Sequence, residues 1–110
     1  MTINELFNAV GPHALLDQLT EECCELGKAA MKVVRAMGEG TPTPVSLGEA
    51  RENLVEEIAD VMVMFTLLKV GFLTEVENYD IEMEMDRKFD RFVDRIEKHL
   101  QKQAEENPTN

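Results

Sequence analysis

Apolar residues recur along this chain at steps of three or four, in runs separated by clusters of glycine, proline and capping residues. One stripe is Leu19, Cys23, Leu26, Ala30 and Val33. A second is Leu54, Ile58, Val61, Phe65 and Leu68, and a third is Ile81, Met85, Phe89, Phe92, Ile96 and Leu100. That period is helical, and no segment shows the two-residue alternation of a half-buried strand. The pattern predicts an all-α fold, a bundle of about four helices.

Punctuation sets the boundaries. Thr2 with Glu5 forms a capping box for a short helix ending at Ala9 or Val10. Gly11-Pro12 then resets the chain, with proline at a first helical turn, and a second helix should run from Pro12 to Met37 and stop at Gly38. Gly38, Gly40, Pro42 and Pro44 make residues 38–45 a loop. Ser46 with Glu49 is a second capping box, opening a third helix that lasts to about Val70, and Thr74 with Glu77 is a third, opening a fourth helix after Gly71. The expected organisation is one domain over residues 1–104, with residues 105–110 a disordered tail beyond the fraying end of the last helix. Helix three is apolar outside its main stripe too, at Val55, Met62, Val63 and Leu67. In so short a chain that surface calls for a second subunit, so the bundle should be completed in a homodimer or homotetramer.

Two of the helices carry the same phrase. Residues 19–26 read Leu-Thr-Glu-Glu-Cys-Cys-Glu-Leu and residues 54–61 read Leu-Val-Glu-Glu-Ile-Ala-Asp-Val. On a helical wheel, at about 100° per residue, Glu22 and Glu25 lie about 60° and 120° from Leu19, climbing one flank of the apolar stripe. Glu57 and Asp60 take the same two angles from Leu54, while Glu21 and Glu56 point further towards solvent. The turn lies about 12 residues after Glu25 and about 11 before Glu57, so at about 1.5 Å rise an antiparallel hairpin sets the copies level. Four carboxylates then share one volume, where two like charges 4 Å apart cost about 4 kcal/mol at an effective dielectric of 20. Either they splay into water or something positive sits between them, and oxygen-only ligands point to a hard divalent cation, Mg²⁺ or Mn²⁺.

The order Glu-Glu-x-x-Glu, loop, Glu-x-x-Asp, covering about residues 15–70, resembles the all-α nucleoside triphosphate pyrophosphohydrolases of the MazG-like superfamily. The resemblance implies cleavage of a nucleoside or deoxynucleoside triphosphate between the α and β phosphates, releasing monophosphate and pyrophosphate. It implies metal ligation by Glu22, Glu25, Glu57 and Asp60, and a role for Glu21 in orienting or deprotonating the attacking water. Lys32 lies two turns beyond Glu25 on nearly the same face and suits a phosphate. Lys88, Arg91 and Arg95 resemble the basic residues such enzymes set against the phosphate tail. Asp86, Asp90, Asp94 and Glu97 interleave them, so surface ion pairs are the competing explanation.

Composition narrows the alternatives. Acids outnumber bases 22 to 11 over 110 residues, a net charge of −11 that disfavours nucleic acid and anionic membranes as partners. Residues 61–73 are nearly all apolar but too few to span a bilayer, and no signal peptide precedes the first helix, which predicts a cytoplasmic protein. The neighbouring Cys23 and Cys24 read as small buried thiols in a reducing compartment. Neither acidic pair carries the histidine of a di-iron bundle, and Gly38-Glu-Gly40 lacks the lysine of a phosphate-binding loop. The rival from another class is a catalytically silent acidic helical interaction module.

Overall fold

A computed structural model describes residues 1–40 and 44–107. Four helices account for nearly all of them: α1 (Ile3–Val10), α2 (Pro12–Ala36), α3 (Leu47–Gly71) and α4 (Glu75–Glu106). The fold is all-α, with no strand among the described residues. Pro42, assigned to the loop, and residues 108–110 of the expected tail lie outside the described residues. No helix is long and apolar enough to cross a membrane among those described.

Local chemistry sets the ends as anticipated. Thr2 and Thr74 each accept from the backbone N–H three residues on and receive the glutamate in return, which completes two capping boxes. Ser46 accepts from the Glu49 N–H at 3.2 Å, but the return bond to the Glu49 side chain is not made, so the capping box expected there is corrected to a simple N-cap. Gly11 at φ 88° and Gly38 at φ 89° turn the chain through left-handed backbone that other residues avoid. At the far end α4 continues two residues past Ala104.

The chain forms two compact parts, residues 1–73 and the segment from Thr74 onward. In the first, α2 and α3 are an antiparallel pair. Leu15 packs with Met64 and Leu68 at one end, and Arg35 lines a hollow with Leu47 at the other. The seam of α2 is buried at Leu15, Ala29 and Val33 and half-buried at Leu19 and Leu26, and that of α3 is buried at Ala50, Val61, Met64 and Leu68 and half-buried at Leu54. Ala29 and Ala50 are 1% and 0% exposed, and having only methyl groups they let the backbones approach closely.

This seam is turned from the expected stripe by about 40° in both helices. Cys23, Ala30, Ile58 and Phe65, counted as core, are exposed, and so is Cys24, so the reading of two buried thiols is corrected. The two most deeply covered residues, Ala29 and Ala50, lie on the flank to which the seam has turned.

Helix α1 closes the open end of the pair. Phe7 is buried against Leu15, Met64 and Leu68, and its ring stacks on Phe72 at 6.0 Å between centroids. Gly71 is what admits it, because a Cβ there would stand 2.7 Å from the Phe7 ring. A glycine that weakens the end of α3 on propensity alone is therefore a packing requirement.

Helix α4 runs 32 residues with no buried side chain. Its acidic and basic residues pair along the helix: Arg87 with Glu84 at 2.6 Å, Lys98 with Asp94 at 3.0 Å and Lys102 with Glu106 at 3.9 Å. The guanidinium of Arg87, hydrogen-bonded to Glu84, holds that carboxyl below its ordinary range.

Candidate metal centre

The rotated seam carries the acids with it. Glu22 follows Leu19 by three positions and precedes Leu26 by four, so it occupies a seam position of α2, half-buried. Glu57 does the same between Leu54 and Val61 of α3. Each helix thus interrupts its apolar line with one glutamate, and the antiparallel register sets the two level. Asp60, one turn beyond Glu57, stands exposed at the rim.

One oxygen from each of Glu22, Glu57 and Asp60 lies within 4.8 Å of the others. Gln18, one turn before Glu22, donates its amide N–H to the Glu22 Oε1 at 2.7 Å and so fixes that carboxylate. Burial raises the Glu57 carboxyl above its ordinary range, and the charges of Asp60, Glu22, Glu25 and Glu56 raise it further.

The remaining expected site residues are placed differently. Glu25 is exposed and takes Lys28 at 3.4 Å, one turn along its own helix. It is close enough to Glu57 to act on it electrostatically, but it stands outside the three converging oxygens. Antiparallel geometry explains this: Glu25 and Asp60 step away from the Glu22–Glu57 level in opposite directions, about 9 Å apart along the axis. Glu21 is exposed, about 120° from the centre of the seam. Lys32 is half-buried, some 15 Å along α2 from Glu22 by helical rise. Lys88 and Arg91 are exposed on α4.

Sequence reasoning passed over Gln18 and Lys28, the two side chains that restrain Glu22 and Glu25. Both were available as partners at i,i+4 and i,i+3.

Three carboxylates and no nitrogen or sulfur donor suit a hard cation that keeps part of its water shell, as Mg²⁺ and Mn²⁺ do. Glu22, Glu57 and Asp60 would hold it, with Glu25 beside them. No family model, curated protein or solved structure matches this chain.

Proposed function

We propose that the protein is a Mg²⁺-dependent nucleoside triphosphate pyrophosphohydrolase of MazG-like type, cleaving a nucleoside or deoxynucleoside triphosphate to monophosphate and pyrophosphate. The observation that carries this reading is the convergence of Glu22, Glu57 and Asp60 from two copies of one phrase. A bound divalent cation would supply positive charge to the non-bridging phosphate oxygens, which a chain of net charge −11 otherwise repels. In this reading Glu22, Glu25, Glu57 and Asp60 form the anionic wall.

Glu21 leaves the same helix turn at about 100° from Glu22, free of the seam. It would accept a proton from the attacking water as that oxygen bonds to phosphorus and the bond to the pyrophosphate leaving group breaks. Lys32 would meet the phosphate tail from α2, and Lys88 and Arg91 are the further cations that the resemblance implies for it.

The enzyme would be cytoplasmic and a homodimer or homotetramer. What supports assembly is the uncovered face of α3, where Val55, Met62 and Val63 are 66%, 60% and 57% exposed.

The test is a panel of canonical and modified nucleoside triphosphates with Mg²⁺, scored for pyrophosphate. Release from at least one is expected, with Glu21→Gln lowering turnover roughly 10²–10⁴-fold. Orthophosphate as the product, or no turnover across the panel, would refute it.

A further inference from the structure

Helix α4 has two properties that run along its whole length, beyond the two cations assigned to the proposed chemistry. Its apolar positions repeat every 11 residues: Ile81 with Phe92, Met85 with Ile96, Phe89 with Leu100. A period of 11 over three turns is about 3.67, close to the helix's own 3.6, so the stripe keeps to one side along the whole length. It is uncovered, with Phe89 and Phe92 at 67% and 62% exposed and Met85, Ile96 and Leu100 between 43% and 62%. These five offer on the order of 600 Å², and the stems of flanking long side chains bring the face towards the roughly 800 Å² per partner of a stable interface.

The second property is charge. Residues 75–86 hold six acids and no base, whereas residues 87–102 hold six bases against three acids. The acidic half of one α4 is thus complementary to the basic half of another only if the two run antiparallel. A parallel pair would set acid against acid through the first three turns.

We infer that α4 is a docking surface for a second copy of itself, paired antiparallel about a two-fold axis passing between Phe89 and Asp90. That register lays the apolar stripes on each other and sets Glu84 opposite Arg95 of the second copy, and Glu77 opposite Lys102. On the wheel these four lie on one flank of the stripe, about 90–110° from its centre, and an antiparallel two-fold brings like flank to like flank. Arg95 makes no ion pair within its own helix, and the pairs of Glu84 and Lys102 there are exposed and exchangeable. The inference does not depend on the enzymatic reading. Together with the uncovered face of α3 it would give the two distinct interfaces of a tetramer.

The test is analytical sedimentation of the full chain and four variants. Phe89→Glu with Phe92→Glu, both exposed positions, should halve the sedimenting mass with helicity retained. Should that variant lose helicity, the charge pair decides, since it alters only surface positions. Glu84→Arg alone and Arg95→Glu alone should each weaken self-association about tenfold, because the two-fold places every like-charge contact twice. Glu84→Arg with Arg95→Glu in one chain should return within about threefold of the natural sequence, since the pairs re-form with reversed sign. The inference is overturned by a monomer up to about 0.5 mM, or by the natural mass in a fully helical Phe89→Glu/Phe92→Glu variant. It is equally overturned if the charge variants leave association unchanged or if their losses add.

Discussion

At the residue scale the decisive fact is that Glu22 and Glu57 occupy apolar positions. A glutamate in a seam loses hydration that a surface glutamate keeps, and here each faces another carboxylate. The consequence for Glu57 can be worked out in sign. Its folded carboxyl is raised above the ordinary 4.5 by burial and by Asp60, Glu22, Glu25 and Glu56, so the folded chain binds the proton more tightly than the unfolded chain. The associated stability is complete below the unfolded value and is lost as pH rises through the folded one. In chelator, the urea midpoint of Glu57→Gln should therefore gain on the natural sequence from acid towards neutral pH. Saturating Mg²⁺ at neutral pH should close that gap. A pH-independent difference between the two proteins would refute the raised carboxyl.

At the element scale, two glycines that look alike in sequence differ in kind. Gly27, in mid-α2, has open space where a Cβ would go, so Gly27→Ala should stabilise by about 0.5–1 kcal/mol through helix propensity. Gly71 faces the Phe7 ring, so Gly71→Ala should destabilise by about 1–3 kcal/mol despite the same propensity gain. Urea unfolding monitored by circular dichroism distinguishes them, and equal signs would contradict the packing of α1 on α3.

The helices themselves were legible because periodicity and capping agree at nearly every end: Thr2 and Thr74 form the expected capping boxes, and Ser46 caps with its hydroxyl alone. The face was less so. Both α2 and α3 have apolar sectors broader than the contact they make, so the wheel could not tell Cys23 from Leu26 or Phe65 from Met64. The covered flank is the one that carries Ala29 and Ala50, and nothing local marks an alanine as core. The same rotation explains the acids. The doubled spacing anticipated that Glu22 and Glu57 stand level, but it set Glu25 among the converging acids, and it did not foresee that Glu22 and Glu57 would replace seam residues.

At the scale of the whole molecule, 110 residues leave more apolar surface than one chain covers. Val63 is exposed on α3, and a carboxylate there would be buried unpaired in any assembly through that face. Val63→Glu should lower the sedimenting mass at micromolar concentration while leaving helicity near that of the natural chain. An unchanged mass would remove α3 from the assembly. The net charge of −11 belongs to the same scale: it makes the chain a poor polyanion binder on its own, so any nucleotide turnover should depend steeply on divalent cation.

The convergence of three carboxylates is tested most directly by calorimetric titration of Mg²⁺ into the metal-free protein, with Glu22→Gln and Glu21→Gln run alongside. A shared carboxylate site requires saturable binding in the natural chain, weakened by about tenfold or more in Glu22→Gln and nearly unchanged in Glu21→Gln. No saturable heat at millimolar Mg²⁺, or the same loss in both variants, would contradict it.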